Sequence, residues 1–255
     1  MRGKIAGLGL AGALACVPGA DPDPGTLRIN LATEPPTLDW TRATDSVSIT
    51  VIEQLMRGLT ELGPDLQPVP ALAHRWEVSR GGRVYTFYLR QDVRWSDGVP
   101  LRADQFVYAW RRLLDPRTAA EYAYFLFPVR GARAYNSGTL RDLDELGVRA
   151  LDDLTLEVEL EAPLVYFPSI TTFMVTFPAR RDVIERFGEQ WTEPEHIVTL
   201  GPFRLRAWEH EYKILLEANA DYFAGRPGLD RVVAYMVNEG STALILFEQG
   251  LLDLV

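Results

Sequence analysis

Three pairs of short alternating segments, each pair wrapped around a turn signal, set the strongest limit on how this chain can fold. Trp76–Val78 and Val84–Arg90 flank Arg80-Gly81-Gly82-Arg83, Val148–Leu151 and Thr155–Leu160 flank Asp152-Asp153, and Phe203–Arg206 and Tyr212–Glu217 flank Glu209-His210. Period-2 alternation around a tight turn predicts an antiparallel hairpin. Tyr85, Phe87 and Leu89 share one face, and Leu156, Val158 and Leu160 oppose Thr155, Glu157 and Glu159, so each of these strands is dry on one side and wet on the other. Single strands are predicted at Thr26–Ala32 and Val232–Val237, with a further onset at Leu251–Val255. Hairpins and helices interleave without regular βαβ alternation. That excludes a barrel or a doubly wound parallel sheet and leaves a mixed α/β class of the α+β kind.

Helix signals are few and well marked. Asp45 can cap a helix whose apolar positions Val51, Ile52, Leu55 and Met56 recur at helical spacing, with Gly58 beyond its end. Ala103–Leu114 carries Phe106, Val107, Trp110, Leu113 and Leu114 on one stripe and is stopped by Asp115-Pro116. Within it Gln105 stands as a polar residue at the helix start. Thr242–Glu248 is a short helix closed by Gly250.

The first residues read as an address. Arg2 and Lys4 precede the apolar run Ile5–Ala15, Ala13-Leu14-Ala15 forms a small-residue cleavage site, and Pro18-Gly19 breaks the chain beyond it. This is the layout of a secretory signal peptide, residues 1–15, followed by a linker, residues 16–25. The run is shorter than the roughly 20 residues a membrane span needs. Gly7, Gly9 and Gly12 also have the spacing of a dinucleotide-binding turn, but Pro18 and Asp21-Pro22-Asp23-Pro24 cut the helix that such a turn must open. Cys16, the only cysteine, follows the cut and resembles the lipid-modified cysteine of bacterial lipoproteins. Such sites usually carry Leu three residues earlier and a small residue two earlier, where this chain has Ala13 and Leu14. An ordinary cleaved signal with an incidental Cys is the other reading.

Charge and motifs exclude several functions. With 26 Lys and Arg against 35 Asp and Glu the net charge is −9, and no basic block stands out, so nucleic acid is not an expected partner. His74, His196 and His210 are far apart, and no second ligand follows any of them at metal-binding spacing, so no metal site or cofactor is expected. There is no phosphate loop and no Gly-x-Ser-x-Gly elbow. The carboxylates Asp152, Asp153, Glu157, Glu159 and Glu161 read as a turn and a solvated strand face, since an acid/base pair also needs burial. No catalytic residue is expected.

The aromatic residues point elsewhere. Six Trp, ten Tyr and eleven Phe must largely be core, yet Tyr122, Tyr124, Phe125 and Phe127 cluster after Pro116, where amphipathic rings beside a loop suit a cleft. Around them the chain carries an ordered series of motifs. These are Thr33-Glu34-Pro35-Pro36-Thr37-Leu38-Asp39, then Ala73-His74-Arg75-Trp76-Glu77-Val78-Ser79 and Tyr85-Thr86-Phe87-Tyr88-Leu89-Arg90. Trp95-Ser96-Asp97-Gly98-Val99-Pro100-Leu101 and Ala103-Asp104-Gln105-Phe106 follow, and later Ile197-Val198-Thr199, Gly201-Pro202-Phe203 and Leu216-Glu217 with Asn219 and Tyr222. The series resembles the bacterial extracellular solute-binding proteins of the peptide-transporter class, from Leu27 to Val255. Leu200 departs from it, standing where that family usually has Asn.

The resemblance implies a periplasmic-binding-protein-like, two-lobed, hinged receptor on the periplasmic or extracellular side of the membrane. It implies that this chain holds the first lobe, residues 26–57 and 181–255, and a satellite α/β domain, residues 58–180, with the second lobe missing. The implied function is capture of extended oligopeptides by a monomer that hands them to the membrane permease of an ABC importer. By position, Thr44, Asp45, Ser46 and Tyr122 match ligand-facing positions of oligopeptide binders. Asp45 as a helix cap and Tyr122 as core packing are the structural alternatives. A transport-inactive half-receptor and a secreted hydrolase are the competing functions. Within the family, dipeptides, nickel chelates, haem or signalling peptides are alternative ligands.

Overall fold

The computed structural model describes residues 23–255, so the signal segment and Cys16 lie outside the described residues. In chain order the elements are β1 (Thr26–Asn30), α1 (Ser46–Leu55), β2 (Thr60–Leu62), β3 (Pro68–Pro70), β4 (Ala73–Ser79), β5 (Val84–Leu89), α2 (Ala103–Leu114) and α3 (Ala132–Asn136). There follow β6 (Val148–Asp152), β7 (Thr155–Glu159), α4 (Phe167–Ile170), α5 (Arg181–Phe187), β8 (Phe203–Glu209), β9 (Lys213–Ala218), β10 (Arg231–Tyr235) and α6 (Gly240–Glu248).

Two four-stranded sheets organise them. One is antiparallel, in the order β4-β5-β7-β6. Its register sets Phe87 opposite Leu156 and Tyr85 opposite Val158, so the alternating apolar residues of two central strands converge on one face. Against the sheet packs α2, whose predicted stripe is buried throughout. Burying those five side chains contributes on the order of 10 kcal/mol before conformational entropy is set against it. Trp110 is fully enclosed, and its indole N–H donates to the Thr176 carbonyl at 2.8 Å, so no polar atom of the ring is stranded.

The other sheet is mixed, in the order β1-β10-β9-β8, with β1 parallel to β10 and the remaining pairs antiparallel. Its first strand stops two residues before the predicted Ala32, and its last, β10, stops before the predicted Val237. One side chain explains both ends. The Asn30 amide accepts from the Ala32 and Val237 N–H groups, both at 3.0 Å, and donates to the Val237 carbonyl at 3.1 Å. The amide thus replaces ladder pairing, and Ala32 turns away at φ 64°. Leu251–Val255 forms no strand of its own. It makes a single parallel bridge, Leu254 beside Ile29, fixed by the Asp253–Arg28 ion pair at 2.9 Å.

Gln105 has a structural role at the start of α2. Its Oε1 accepts from the Arg102 N–H and from the Trp95 indole, each at 2.9 Å, closing the first turn of α2 and fastening it to the preceding loop. The Gly-Pro-Phe motif has an equally local cause. Gly201 donates its N–H to the Leu55 carbonyl at 2.7 Å, and a Cβ there would lie 2.4 Å from that carbonyl carbon. Only glycine lets the chain leading into β8 press against the end of α1. Apart from the onset at Leu251–Val255, the predicted elements form with small shifts. The β2–β3 ribbon, α3, α4 and α5 were not predicted; all are seven residues or shorter.

One apolar cluster runs through both sheets, from Leu31 near β1 through Phe87 and Trp110 to Met236 after β10. Among the described residues no helix is long and apolar enough to cross a membrane.

Candidate functional site

The chain leaves the carboxyl end of β1 and reaches α1 through a loop that a single carboxylate organises. Asp39 is 5% exposed. Its carbonyl accepts from the Arg42 and Ala43 N–H groups at 2.8 Å, and its Oδ1 from the Thr41 N–H at 3.0 Å. Arg112 of α2 grips both carboxylate oxygens, at 2.9 and 2.5 Å. The same guanidinium lies 5.9 Å from the ring centre of Trp191, which packs edge-on against Trp40 at 4.7 Å. A charge-assisted fork inside an aromatic box holds the loop to α2. Sequence reasoning quoted Asp39 within a motif but missed this pairing across 73 residues. Its only sequence signal is an acidic residue set between apolar ones.

That loop delivers Thr44, Asp45 and Ser46 to the amino end of α1. Asp45 is extended, at φ −95° and ψ 155°, and its carboxylate accepts the Ser48 N–H at 2.8 Å. The side chain therefore serves as the helix cap, worth about 1 kcal/mol, while the backbone stays extended. Ser46 is exposed. Tyr122 comes to the same place from a 3-10 turn: its hydroxyl donates to the Thr44 carbonyl at 3.0 Å. Its half-buried ring packs on Tyr124, Phe125 and Phe173 at centroid distances of 6.0, 5.7 and 5.8 Å. The structure thus joins all four predicted positions into one patch, although 78 residues separate Thr44 from Tyr122.

A second cluster was not foreseen. Glu34, also beyond the carboxyl end of β1, accepts from the Trp208 indole at 2.9 Å, His210 Nδ1 at 2.7 Å and the Glu211 N–H at 3.1 Å. It ties the β8–β9 turn to the loop after β1. Two glutamates of the acidic run on the second hairpin lie in ion pairs, Glu157 with Arg149 at 2.8 Å and Glu159 with Arg130 at 3.0 Å. Among the described residues no group of three His, Cys, Asp or Glu side chains is placed to hold a metal ion.

Beyond the carboxyl end of β1 the structure thus gathers the extended Asp45, the start of α1 and a cluster of aromatic rings. The chain belongs to the bacterial extracellular solute-binding proteins, family 5, whose model matches residues 67–255. It is 39% identical over 231 residues to the oligopeptide-binding protein OppA of Bacillus subtilis, a match covering 89% of this chain and 42% of that protein. A solved oligopeptide ABC transporter substrate-binding domain from Bacillus anthracis superposes with a TM-score of 0.85 at 37% identity, over 89% of this chain and 44% of the other. Listeria monocytogenes OppA bound to peptide superposes with a TM-score of 0.84 at 31% identity, over 89% and 45%. The chain therefore spans less than half the length of these relatives.

Proposed function

We propose that this chain forms the first lobe and satellite domain of a peptide receptor that feeds a membrane ABC importer from the periplasmic or extracellular side. One observation carries the reading: the extended Asp45 stands just before α1, beside a Thr44 carbonyl that is positioned by the Tyr122 hydroxyl at 3.0 Å. Such an edge pairs with the main chain of an extended peptide as an added strand would, which takes many sequences without reading any one of them. The peptide-bound Listeria relative supports the ligand class. The division into residues 26–57 with 181–255, and 58–180, is supported by the strand membership of the two sheets. Lipid attachment at Cys16 belongs to the same reading, and Cys16→Ser releases the processed protein from the membrane if it holds.

Calorimetric titration of the full-length gene product with tri-, tetra- and penta-alanine tests the function. Saturable binding without hydrolysis is expected. Tyr122→Phe, which keeps the ring and removes the hydroxyl, weakens it by about 3- to 10-fold, the worth of one hydrogen bond. Absence of peptide binding, or turnover of the peptides, overturns the proposal.

A further inference from the structure

The Thr44 patch continues into a stack of aromatic rings that the core does not use. Tyr122 belongs to both: its hydroxyl donates to the Thr44 carbonyl, and its ring meets Tyr124, Phe125 and Phe173. Tyr124 stacks on Phe125 at 4.7 Å with 25° between the ring planes, and Phe125 lies 4.8 Å from Phe173. Burial along the 3-10 turn that carries them, Glu121–Leu126, is uneven. Ala123 and Leu126, 3% and 0% exposed, anchor the turn in the core. Tyr124 is 52% exposed, and Phe125 and Phe173 are only half-buried.

A single exposed apolar side chain is ordinary on a protein surface and needs no explanation. An ordered stack is different. Phe125 covers one face of the Tyr124 ring and Tyr122 meets it edge-on, yet half of the residue stays open to water. Core packing accounts for Ala123 and Leu126, but not for a tyrosine held in place and left uncovered. A peptide whose main chain pairs beside Asp45 advances about 3.3 Å per residue and turns alternate side chains to one face. Its register is fixed by the main-chain contacts, and the rings begin at the residue that positions the Thr44 carbonyl.

We propose that Tyr124, Phe125 and Phe173 form a subsite for one large apolar side chain of the bound peptide, aromatic before aliphatic. The inference rests on the peptide-receptor reading and deepens it. Main-chain pairing accepts any sequence, and the ring stack sets a preference on top of it. A further ring adds offset-stacked or edge-on contact to the area it buries, whereas Leu supplies area alone.

Calorimetric titration of the full-length gene product tests the subsite. The alanine peptide that binds most tightly is remade with Phe, Leu or Gln at each position in turn. At one position Phe binds about 10-fold tighter than Ala and Leu about 3-fold tighter, the scale of a partly buried side chain with and without a ring pair. Gln, close to Leu in size but polar, gains nothing there. Tyr124→Ala lowers the Phe-over-Ala ratio to below about 2-fold. Tyr166→Ala, which removes a 62% exposed tyrosine just before α4, leaves the ratio intact. Alanine peptides bound with no apolar preference at any position overturn the subsite and leave the peptide-receptor reading standing. Failure to bind any peptide overturns both. A ratio unchanged by Tyr124→Ala, an equal fall in Tyr166→Ala, or a gain for Gln matching that for Leu also overturns the subsite. Where Tyr124→Ala fails to fold, Tyr124→Leu keeps apolar bulk without the ring, and an unchanged preference for Phe over Leu overturns it instead.

Discussion

Replacing Arg112 with Met tests whether the loop that carries Thr44 is held by a buried ion pair or only by packing. Met keeps much of the apolar stem and deletes the guanidinium. The Asp39 and Arg112 side chains retain 7% and 15% of their exposure, and their two hydrogen bonds measure 2.9 and 2.5 Å. After the substitution the Asp39 carboxylate stays buried and keeps one backbone donor, the Thr41 N–H, with only the half-exposed Arg42 guanidinium, at 3.9 Å, left as a cation. Breaking a buried pair from one side costs about 3–5 kcal/mol, against about 0.2–1 kcal/mol for an exposed pair. Burial this deep places the pair in the first group. With a loss of about 4 kcal/mol and a urea slope of about 3 kcal/mol/M, the unfolding midpoint falls by about 1.3 M. Urea denaturation followed by tryptophan fluorescence reads the shift. Asp39→Leu combined with Arg112→Met removes both charges, so the double variant recovers most of the loss, with a coupling above about 2 kcal/mol. A midpoint shift below about 0.3 M for Arg112→Met would refute the reasoning. So would a double variant as unstable as the two single losses added together.

Two further outcomes follow from the geometry. Gly201→Ala places a methyl group 2.4 Å from the Leu55 carbonyl carbon and 2.6 Å from the Gln54 carbonyl oxygen, backbone atoms that cannot swing aside. Thermal unfolding should show a loss of about 3 kcal/mol or more, while Gly228→Ala, with open space around its Cβ, stays near wild type; equal effects would contradict this account. Asp182 is held below the usual carboxylate range by hydrogen bonds from Arg180, at 2.7 and 2.6 Å, against the opposing effect of burial. Because its folded-state pKa is the lower one, its contribution is complete above about pH 4 and is lost as pH falls through the folded value. Stability measured between pH 7 and pH 2 should fall less steeply on the acid side in Asp182→Asn, and an identical acid limb would count against the pair.

What the sequence made legible was what periodicity encodes. The dry faces of β5 and β7 and the stripe of α2 could be read because burial on one side forces a repeat of two or of 3.6 residues. The ends of β1 and β10 could not, since the Asn30 amide decides them by reaching a partner 207 residues away. Short elements left no repeat long enough to detect. The β3 strand is three residues with proline at both ends, and α5 is two turns. The candidate patch divides the same way. The Asp45 cap is a local signal and was read directly. Tyr122 was reached through the resemblance of ordered motifs, because no spacing rule connects it with Thr44. Pairs such as Glu34 with Trp208, 174 residues apart, are products of tertiary packing alone.

The apolar cluster shared by the two sheets limits how this architecture can be inherited. Leu59, Leu72 and Phe177, at most 3% exposed, lie within residues 58–180 and join the same cluster as Leu31, Leu55 and Met236 outside them. Gly58 sits where a Cβ would meet the Thr171 carbonyl at 2.3 Å, so even the point of departure is closely fitted. A recombination event that moved this segment to a new gene would carry half of a dry interface and leave the other half open to water. The segment and the rest of the chain therefore depend on each other for the burial that stabilises both.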